Sequence, residues 1–536
     1  MFDLFKKIRL SLFFKSSIYN LIFNKAIDDK ILHNPESLWV GNKSNGIRII
    51  DGFLNYQKET VYFDKNVWKQ NHGSSSWNKH LHSFMWIKDI RKVGTDQARI
   101  FVRQKIVSWI EESDYLNSAI WNNEVLSKRI FYLLTNLSFF FETADENFQK
   151  KFSNNINKQC ILLFRKYKRP EQLQNNIFAV KSMILSSMCF RNLKVNYELS
   201  IKFLRFIIDN TLKEGMHYLR SPSDHFYFLC SLLDIKNFIG NLNKEIPPYL
   251  NQIIDEMGSI LYFFKIGDGN LAIFNKYEFI SKNKINNVLK KIGHKYRLPK
   301  VYECNGFKRV SKNKLIFIMD CGKPTKEQTQ AGTLSFEFSH FTEKIVVNCG
   351  SPFINNKDWN DAMRSTAAHS TLNINEINSS DIFFNKDTTT RIADVYSEQF
   401  EKDDSVWINS FHEGYKKLFG ITHLRSIHID LNNYIIRGEE SFKYEKKSVL
   451  ENKSKYFLRF HIHPSIKLNV TTSRKKVVLK LRNNTGWEFI CSEPIIQIED
   501  GIYLGENKVV QPNHHILLSN KISKKKTIKW LFRLIK

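Results

Sequence analysis

Residues 215–225, Gly-Met-His-Tyr-Leu-Arg-Ser-Pro-Ser-Asp-His, are unusually dense in groups that move protons or hold anions. His217, Tyr218, Asp224 and His225 can each exchange a proton, and Arg220 can pair with a carboxylate or a sulfate. Ser221 before Pro222 reads as a helix start, with Ser221 capping and Pro222 at the first helical position. Arg220 and His217 then stand near a helix N-terminus, a place that favours anions. The same residues read equally well as a capping turn with surface histidines. A second concentration follows in Gln328-Thr-Gln330-Ala-Gly-Thr-Leu-Ser-Phe-Glu337, Val347-Asn348-Cys-Gly350 and Arg364-Ser-Thr-Ala-Ala-His369-Ser-Thr-Leu372. His412, His423 and His461-Ile-His463 add imidazoles further on. A His-x-His pair on a strand puts both rings on one face, but a metal needs a third ligand, and none stands at a diagnostic spacing. Earlier in the chain, Trp86 and Trp121 could stack on sugar rings and Arg129 could pair with an anion. On residue type alone, both tryptophans are more commonly ordinary core.

Two kinds of element must position these groups. The first half carries helical period: Phe148, Phe152, Ile156, Cys160 and Phe164 recur every four residues through 146–167, one apolar stripe on an amphipathic helix. Similar spacing predicts helices over 98–111, 123–141, 176–189, 197–212 and 223–242, with short breaks between them as in antiparallel helix pairs. After about residue 300 the period changes to two. Residues 315–321 read as a buried strand, and Leu334, Phe336 and Phe338 alternate with Ser335 and Glu337 as in a half-buried one. Strands over 345–348, 434–438, 457–463, 477–481 and 487–491 continue a large antiparallel sandwich. The Lys- and Asn-rich stretch 281–300 reads as the connection. The expected division is an N-terminal arm over 1–60, a helical domain over 61–280 and a sheet domain over 301–536, with a cleft where the two domains meet.

Composition narrows the class. In 536 residues, 81 Lys and Arg against 53 Asp and Glu give a net charge of +28, with 42% hydrophobic residues. That is globular composition, long enough for two large cores. No apolar run exceeds five residues, which excludes a helical membrane span. Seven cysteines with no C-x-x-C pair exclude a disulfide scaffold. The charge suits an acidic polymer or an anionic surface, but the basic residues are scattered, as compositional drift leaves them. Zinc-finger, RNP-like and basic-zipper patterns are absent, so no nucleic acid is expected. The N-terminus, Met1 to Lys15, alternates charge with apolar residues and shows no cleavage site, so it is no clear export signal. It reads equally as a surface-lying amphipathic segment or a docked helix.

The order of segments and several motifs resemble the heparinase II/III family of polysaccharide lyases. Gly215–His225 resembles the family's Gly-x-His-Phe-x-Arg-Ser-Pro-x-Tyr-His segment. Ala331-Gly-Thr-Leu-Ser-Phe-Glu337, Val347–Gly350 and Arg364–Leu372 resemble its sandwich motifs. His412-Glu-Gly-Tyr415, Arg437-Gly-Glu439 and Phe460-His-Ile-His-Pro464 are similar to a subgroup common in alphaproteobacteria. The resemblance implies an α+β multidomain fold, an incomplete α/α toroid followed by an antiparallel β-sandwich. It implies β-elimination on an acidic, uronate-containing polysaccharide, and a place in the cell envelope or periplasm, with the cytoplasm as the alternative. Asn176 matches the family's carboxylate-neutralising Asn; its other reading is a helix cap. Asp224, His225 and His369 complete the catalytic set so implied. Trp86, Trp121, Arg129, His217, Tyr218, Arg220, Gln330 and His412 form the substrate-binding set. The chain departs from the family at four places: Asp224 stands for the base Tyr, Gln328 for a catalytic His, Gln330 for a metal-binding His, and Asn348 for a metal-binding carboxylate. No bound zinc or other cofactor is therefore expected. A non-catalytic polysaccharide-binding relative is the alternative, and a hydrolase would need a second carboxylate facing Asp224.

Overall fold

The computed structural model describes residues 30–56, 59–63, 67–68, 73–112, 119–275, 278–293, 296–326, 330–351, 357–382, 390–445, 454–506, 509–523 and 526–535. The expected N-terminal segment up to residue 29 and Gln328 lie outside them. The chain divides into two compact units, Met1–Thr211 with Cys230–Gln252 and Leu212–Leu229 with Ile253–Lys536.

The first unit is helical, apart from a small hairpin of β1 (Phe53–Tyr56) and β2 (Glu59–Tyr62). The helix Glu146–Lys166 begins where the Asp145 side chain accepts from the Phe148 N–H at 2.9 Å. It buries Phe148, Phe152, Ile156, Cys160 and Leu163, so the last turn turns in Leu163 where the four-residue count pointed to Phe164. The helix Ile177–Cys189 is buried on every side from Ala179 onward. Its one buried cation, Lys181, pairs with Asp234 at 2.8 Å and lies 3.9 Å from the centre of the Phe131 ring. A buried charge persists only with such partners. The helix expected over 123–141 is two, Asn123–Leu134 and Leu137–Phe140.

The second unit opens with the short pair β3 (Leu212–Lys213) and β4 (Met216–His217). One sheet then holds β5 (Val301–Cys304), β6 (Phe307–Lys312), β7 (Leu315–Asp320), β8 (Phe336–His340), β9 (Glu343–Val347), β10 (Leu372–Ile374), β15 (Lys455–Ile462), β19 (Gln497–Tyr503) and β20 (Gln511–Lys521). The other runs β11 (Val395–Lys402), β12 (Ser405–His412), β13 (Ile421–Asp430), β14 (Ile435–Tyr444), β21 (Ile528–Ile535), β18 (Gly486–Cys491), β17 (Lys476–Lys480) and β16 (Lys467–Val470). Their pairings are antiparallel throughout. Inner faces meet in one core, with Phe336 stacked on Trp530 at 5.5 Å and Phe338 against Phe532 at 5.3 Å. This is the alternation of a face-to-face sandwich.

Two readings change here. Residues 281–300 hold a helix, Lys282–Ile292, which buries Ile285 and Val288 beneath its lysines. Two apolar side chains three apart anchor a helix that a polar composition hides. Glu337 of β8 and Ser335 just before it do not face water. Every residue of the strand is buried, because the chain at Ile273 and Asn348 covers its outer side.

Candidate functional site

In the second unit, β3 and β4 turn through Glu214 and Gly215, both at positive φ, and deliver the dense motif. The expected cap is present: the Asp224 N–H donates to Ser221 Oγ at 3.2 Å, at the start of the helix Pro222–Asn241. Arg220, at φ +54, is not free for an anionic ligand. It pairs with Asp320, donates from Nε to the Asn305 carbonyl at 3.1 Å and from Nη1 to the Lys323 carbonyl at 3.3 Å, and lies over the Phe307 ring. Its anion is already supplied, so Arg220 fastens the motif to the sheet. His225 is likewise committed: Nε2 donates to the Met257 carbonyl at 2.8 Å and Nδ1 accepts from the His217 N–H at 3.4 Å. Fully buried, it is held at about 4 by desolvation. It is a strut, which corrects its catalytic assignment. His217 is buried too, also held at about 4, with its ring stacked 5.0 Å from Tyr218. Tyr218 and Asp224 are half-buried.

The other motifs converge on the turn 365–371. The His369 Nδ1–H donates to the Ser365 carbonyl at 2.7 Å. That bond fixes the tautomer and leaves Nε2 as a lone pair, with no hydrogen-bond partner among the described residues. The ring lies so close over Gly332 that a Cβ there would meet it at 2.5 Å. Burial lowers the basicity of His369, opposed by the Ser365 carbonyl and the charge of Asp320. The turn itself is held from several sides. Asn348 Oδ1 accepts from the Ser370 N–H at 3.0 Å, and His461 Nε2 donates to the Ala367 carbonyl at 2.8 Å. The Cys349 N–H donates to the Ala368 carbonyl at 3.0 Å, and Arg425 Nη1 donates to the Ser370 carbonyl at 3.2 Å. Gln330, two residues before Gly332, is buried.

His412 does not face a ligand. Its Nδ1 accepts from the Gly414 N–H at 3.2 Å, so Nε2 carries the proton and donates to His423 Nδ1 at 3.1 Å. His423 Nε2 donates in turn to Glu440 at 2.6 Å. Glu440 also accepts from Arg425 Nε at 2.8 Å and Trp530 Nε1 at 3.0 Å. All four ionisable groups are fully buried. Burial, then the neighbouring His423 and Arg425, hold His412 well below the ordinary imidazole range. Burial alone would raise Glu440, but Arg425, His423 and Trp530 together overcome it and hold the carboxyl below the usual carboxylate range. Arg425 and Glu440 escaped the sequence reading. The available signal was period two: His423 and Arg425 share a face with Ile421, Ile427 and Ile429, all buried.

In the helical unit, Asn176 caps the helix Ile177–Cys189, accepting from the Ala179 N–H at 3.3 Å, while its Nδ2 donates to the Tyr167 hydroxyl at 3.1 Å. The cap reading is met, and the amide stays half-buried. Trp86, Trp121 and Arg129 belong to the core instead of a sugar platform. Arg129, with no exposure, lies 4.5 Å from the Trp109 ring centre and 4.7 Å from that of Trp121. It donates to Gln159 at 2.7 Å and to the His82 and Ile120 carbonyls at 3.1 Å. Trp86 is 1% exposed, its indole N–H on the Leu81 carbonyl. A guanidinium between two indoles satisfies charge and packing together.

A zinc ion does not fit the residues present. Asn348, where the family has a carboxylate, uses Nδ2 on the Ile273 carbonyl at 2.9 Å and Oδ1 on Ser370, while its N–H donates to Glu337 at 2.8 Å. An amide so engaged is a backbone strut. Among the described residues no three His, Cys, Asp or Glu side chains converge as a metal's ligands do.

Comparison with known proteins places these observations. The family model Heparinase II/III-like, C-terminal, matches residues 297–531. A crystal structure of heparinase III superposes with a TM-score of 0.73 at 13% identity, covering 96% of this chain and 89% of that one. The heparan sulfate lyase HepC of Pedobacter heparinus superposes at 0.65 and 14% identity, over 92% and 82%. The fold is thus the expected one, an incomplete α/α toroid followed by an antiparallel β-sandwich. FtsZ-localized protein C of Caulobacter vibrioides is 25% identical over 428 residues, 76% of this chain and 73% of that protein. Among the described residues no helix is long and apolar enough to cross a membrane.

Proposed function

We propose, from the match of residues 297–531 to the heparinase II/III-like C-terminal family model, that the chain binds an acidic, uronate-containing polysaccharide and cleaves it by β-elimination. The observation that carries this reading is the His369 imidazole, oriented by the Ser365 carbonyl with Nε2 as its lone pair. Neutral at pH 7 because burial lowers its basicity, it takes the C5 proton beside the uronate carboxylate and returns one to the departing 4-linked oxygen. Such acid–base help is worth about 10²–10⁴ in rate. Asn176 is the match to the family's carboxylate-neutralising Asn, a role an amide donor performs as charge builds on an oxyanion. Asp224 is the second base, on the first turn of its helix. The reaction as proposed uses no zinc.

The test is the ultraviolet absorbance of a new C4–C5 double bond when the protein meets heparan sulfate, hyaluronan or alginate. Asn176→Ala, Asp224→Asn and His369→Ala run beside it. Absorbance lost in His369→Ala supports the reading. No absorbance on any polymer, with saturable binding of one, leaves the second reading, a non-catalytic binding protein. That reading is favoured by the commitment of Arg220, His225 and Asn348 to struts. We place the protein at the cell envelope. A fluorescent fusion imaged beside FtsZ tests whether the localisation in the relative's name extends to this chain.

A further inference from the structure

The edge of the second sheet concentrates positive charge that its fold does not require. Residues 465–487 contain Lys467, Arg474, Lys475, Lys476, Lys480 and Arg482 and no Asp or Glu. They form the hairpin of β16 and β17 with its two flanking turns, and β16 is the outermost strand. Pairing sets Lys467 directly opposite Lys480, an arrangement of like charges that destabilises a sheet. Lys476 finds Glu488 at 2.6 Å, and Arg533 of β21 shares that carboxylate. Lys467, Arg474, Lys475, Lys480 and Arg482 are exposed, and no acid lies within ion-pair distance of them among the described residues.

A lysine on an edge strand blocks pairing with another chain. Lys467 alone could do that here. Lys480 sits on β17, which is paired on both sides, and Arg474, Lys475 and Arg482 sit in turns, where edge protection asks for nothing. We propose that this hairpin is a docking surface for an acidic polysaccharide, separate from the His369 turn and holding the polymer by charge complementarity. It rests on the ligand class proposed above, not on turnover.

The test measures affinity of the full chain for heparan sulfate and for alginate across rising NaCl. The variant carries Lys467→Gln, Arg474→Gln, Lys475→Gln and Lys480→Gln. A charge-matched control carries Lys150→Gln, Lys194→Gln, Lys282→Gln and Lys290→Gln, all at exposed positions elsewhere. Far-UV circular dichroism and melting confirm that both fold. Loss of four exposed cationic contacts predicts affinity about 30-fold weaker in the hairpin variant, a shallower salt dependence, and little change in the control. Equal weakening of both proteins overturns the proposal, because overall charge then explains binding. So does unchanged affinity in the hairpin variant. Wild-type binding without any elimination product defeats the lyase reading and leaves the hairpin standing. Binding of phosphatidylglycerol vesicles or duplex DNA through the hairpin, with no polysaccharide bound, assigns it another partner and overturns it.

Discussion

His412 and His423, on the paired strands β12 and β13, and His369, on the turn before β10, are all buried imidazoles whose basicity desolvation lowers. Of these three, His369 alone keeps a ring nitrogen without a partner among the described residues. In the first pair every nitrogen is used, from the Gly414 N–H through both rings to Glu440. The turn carries one fixed bond, Nδ1–H to Ser365, and leaves the opposite nitrogen open. Residue type and burial do not separate a strut from an imidazole with an open lone pair here. Accounting for each donor and acceptor does.

The sharpest way to break that contrast is to open the closed network. Glu440→Ala leaves Arg425 charged and buried without its carboxylate, and the sheet unit should lose about 3–5 kcal/mol, read by denaturant unfolding. A loss under ~1 kcal/mol would mean that the network is not a structural clamp. Trp121→Leu removes one of the two indoles enclosing Arg129 and should cost about 2 kcal/mol. Polysaccharide affinity should stay unchanged, since that pair is core. A large affinity loss with stability intact would return Trp121 to the binding surface.

Acid probes both regions together. His217 and His225 are held at about 4, and His412, His423 and His369 are also lowered. In the unfolded chain imidazoles titrate near ~6.5. Their contribution to stability is therefore complete above that pH. It is lost as pH falls toward 4, because the unfolded state takes up protons that the folded one refuses. Melting temperature should drop across that window, and a flat profile would contradict the closed network. The smallest expected effect on stability is His369→Ala, which removes one hydrogen bond worth ~0.5–1.5 kcal/mol. Elimination should vanish in that variant while the melt barely moves. Intact elimination would shift the base to Asp224.

How much of this was legible depended on whether the signal was local. The four-residue stripe of Phe148, Phe152, Ile156 and Cys160 and the Ser221 cap are local, and both appear as read. The fates of Trp86, Trp121 and Arg129 depend on what packs over them, which no period encodes. Arg220 shows the same limit from the other side. Its type suggested an anion, and the anion is Asp320, one hundred positions later in the chain. Ser335 and Glu337 alternate as a solvent-facing side should, yet both are buried, Glu337 under the Ile273 and Asn348 segments. The lysines that looked scattered become a patch only when register sets Lys467 against Lys480. β11 is hidden in the sequence because exposed Phe400 breaks its polar–apolar rhythm, and β12 because polar Ser410 and His412 share its buried face while Trp407 and Phe411 lie on the other.

Two of the three crossings between the units fall inside helices; the third lies between Thr211, the end of the helix Tyr197–Thr211, and β3. Pro222–Asn241 belongs to the sheet unit up to Leu229 and to the helical unit from Cys230, and Pro248–Phe263 changes over between Gln252 and Ile253. No single cut of the chain therefore yields either unit whole. A gene fragment ending at the start of β5 would carry away the helix turns and the Gly215–His225 motif that the sandwich needs. One beginning earlier would bring along pieces of the helical unit. A recombination event that swapped one unit would therefore have to exchange half of two helices along with it.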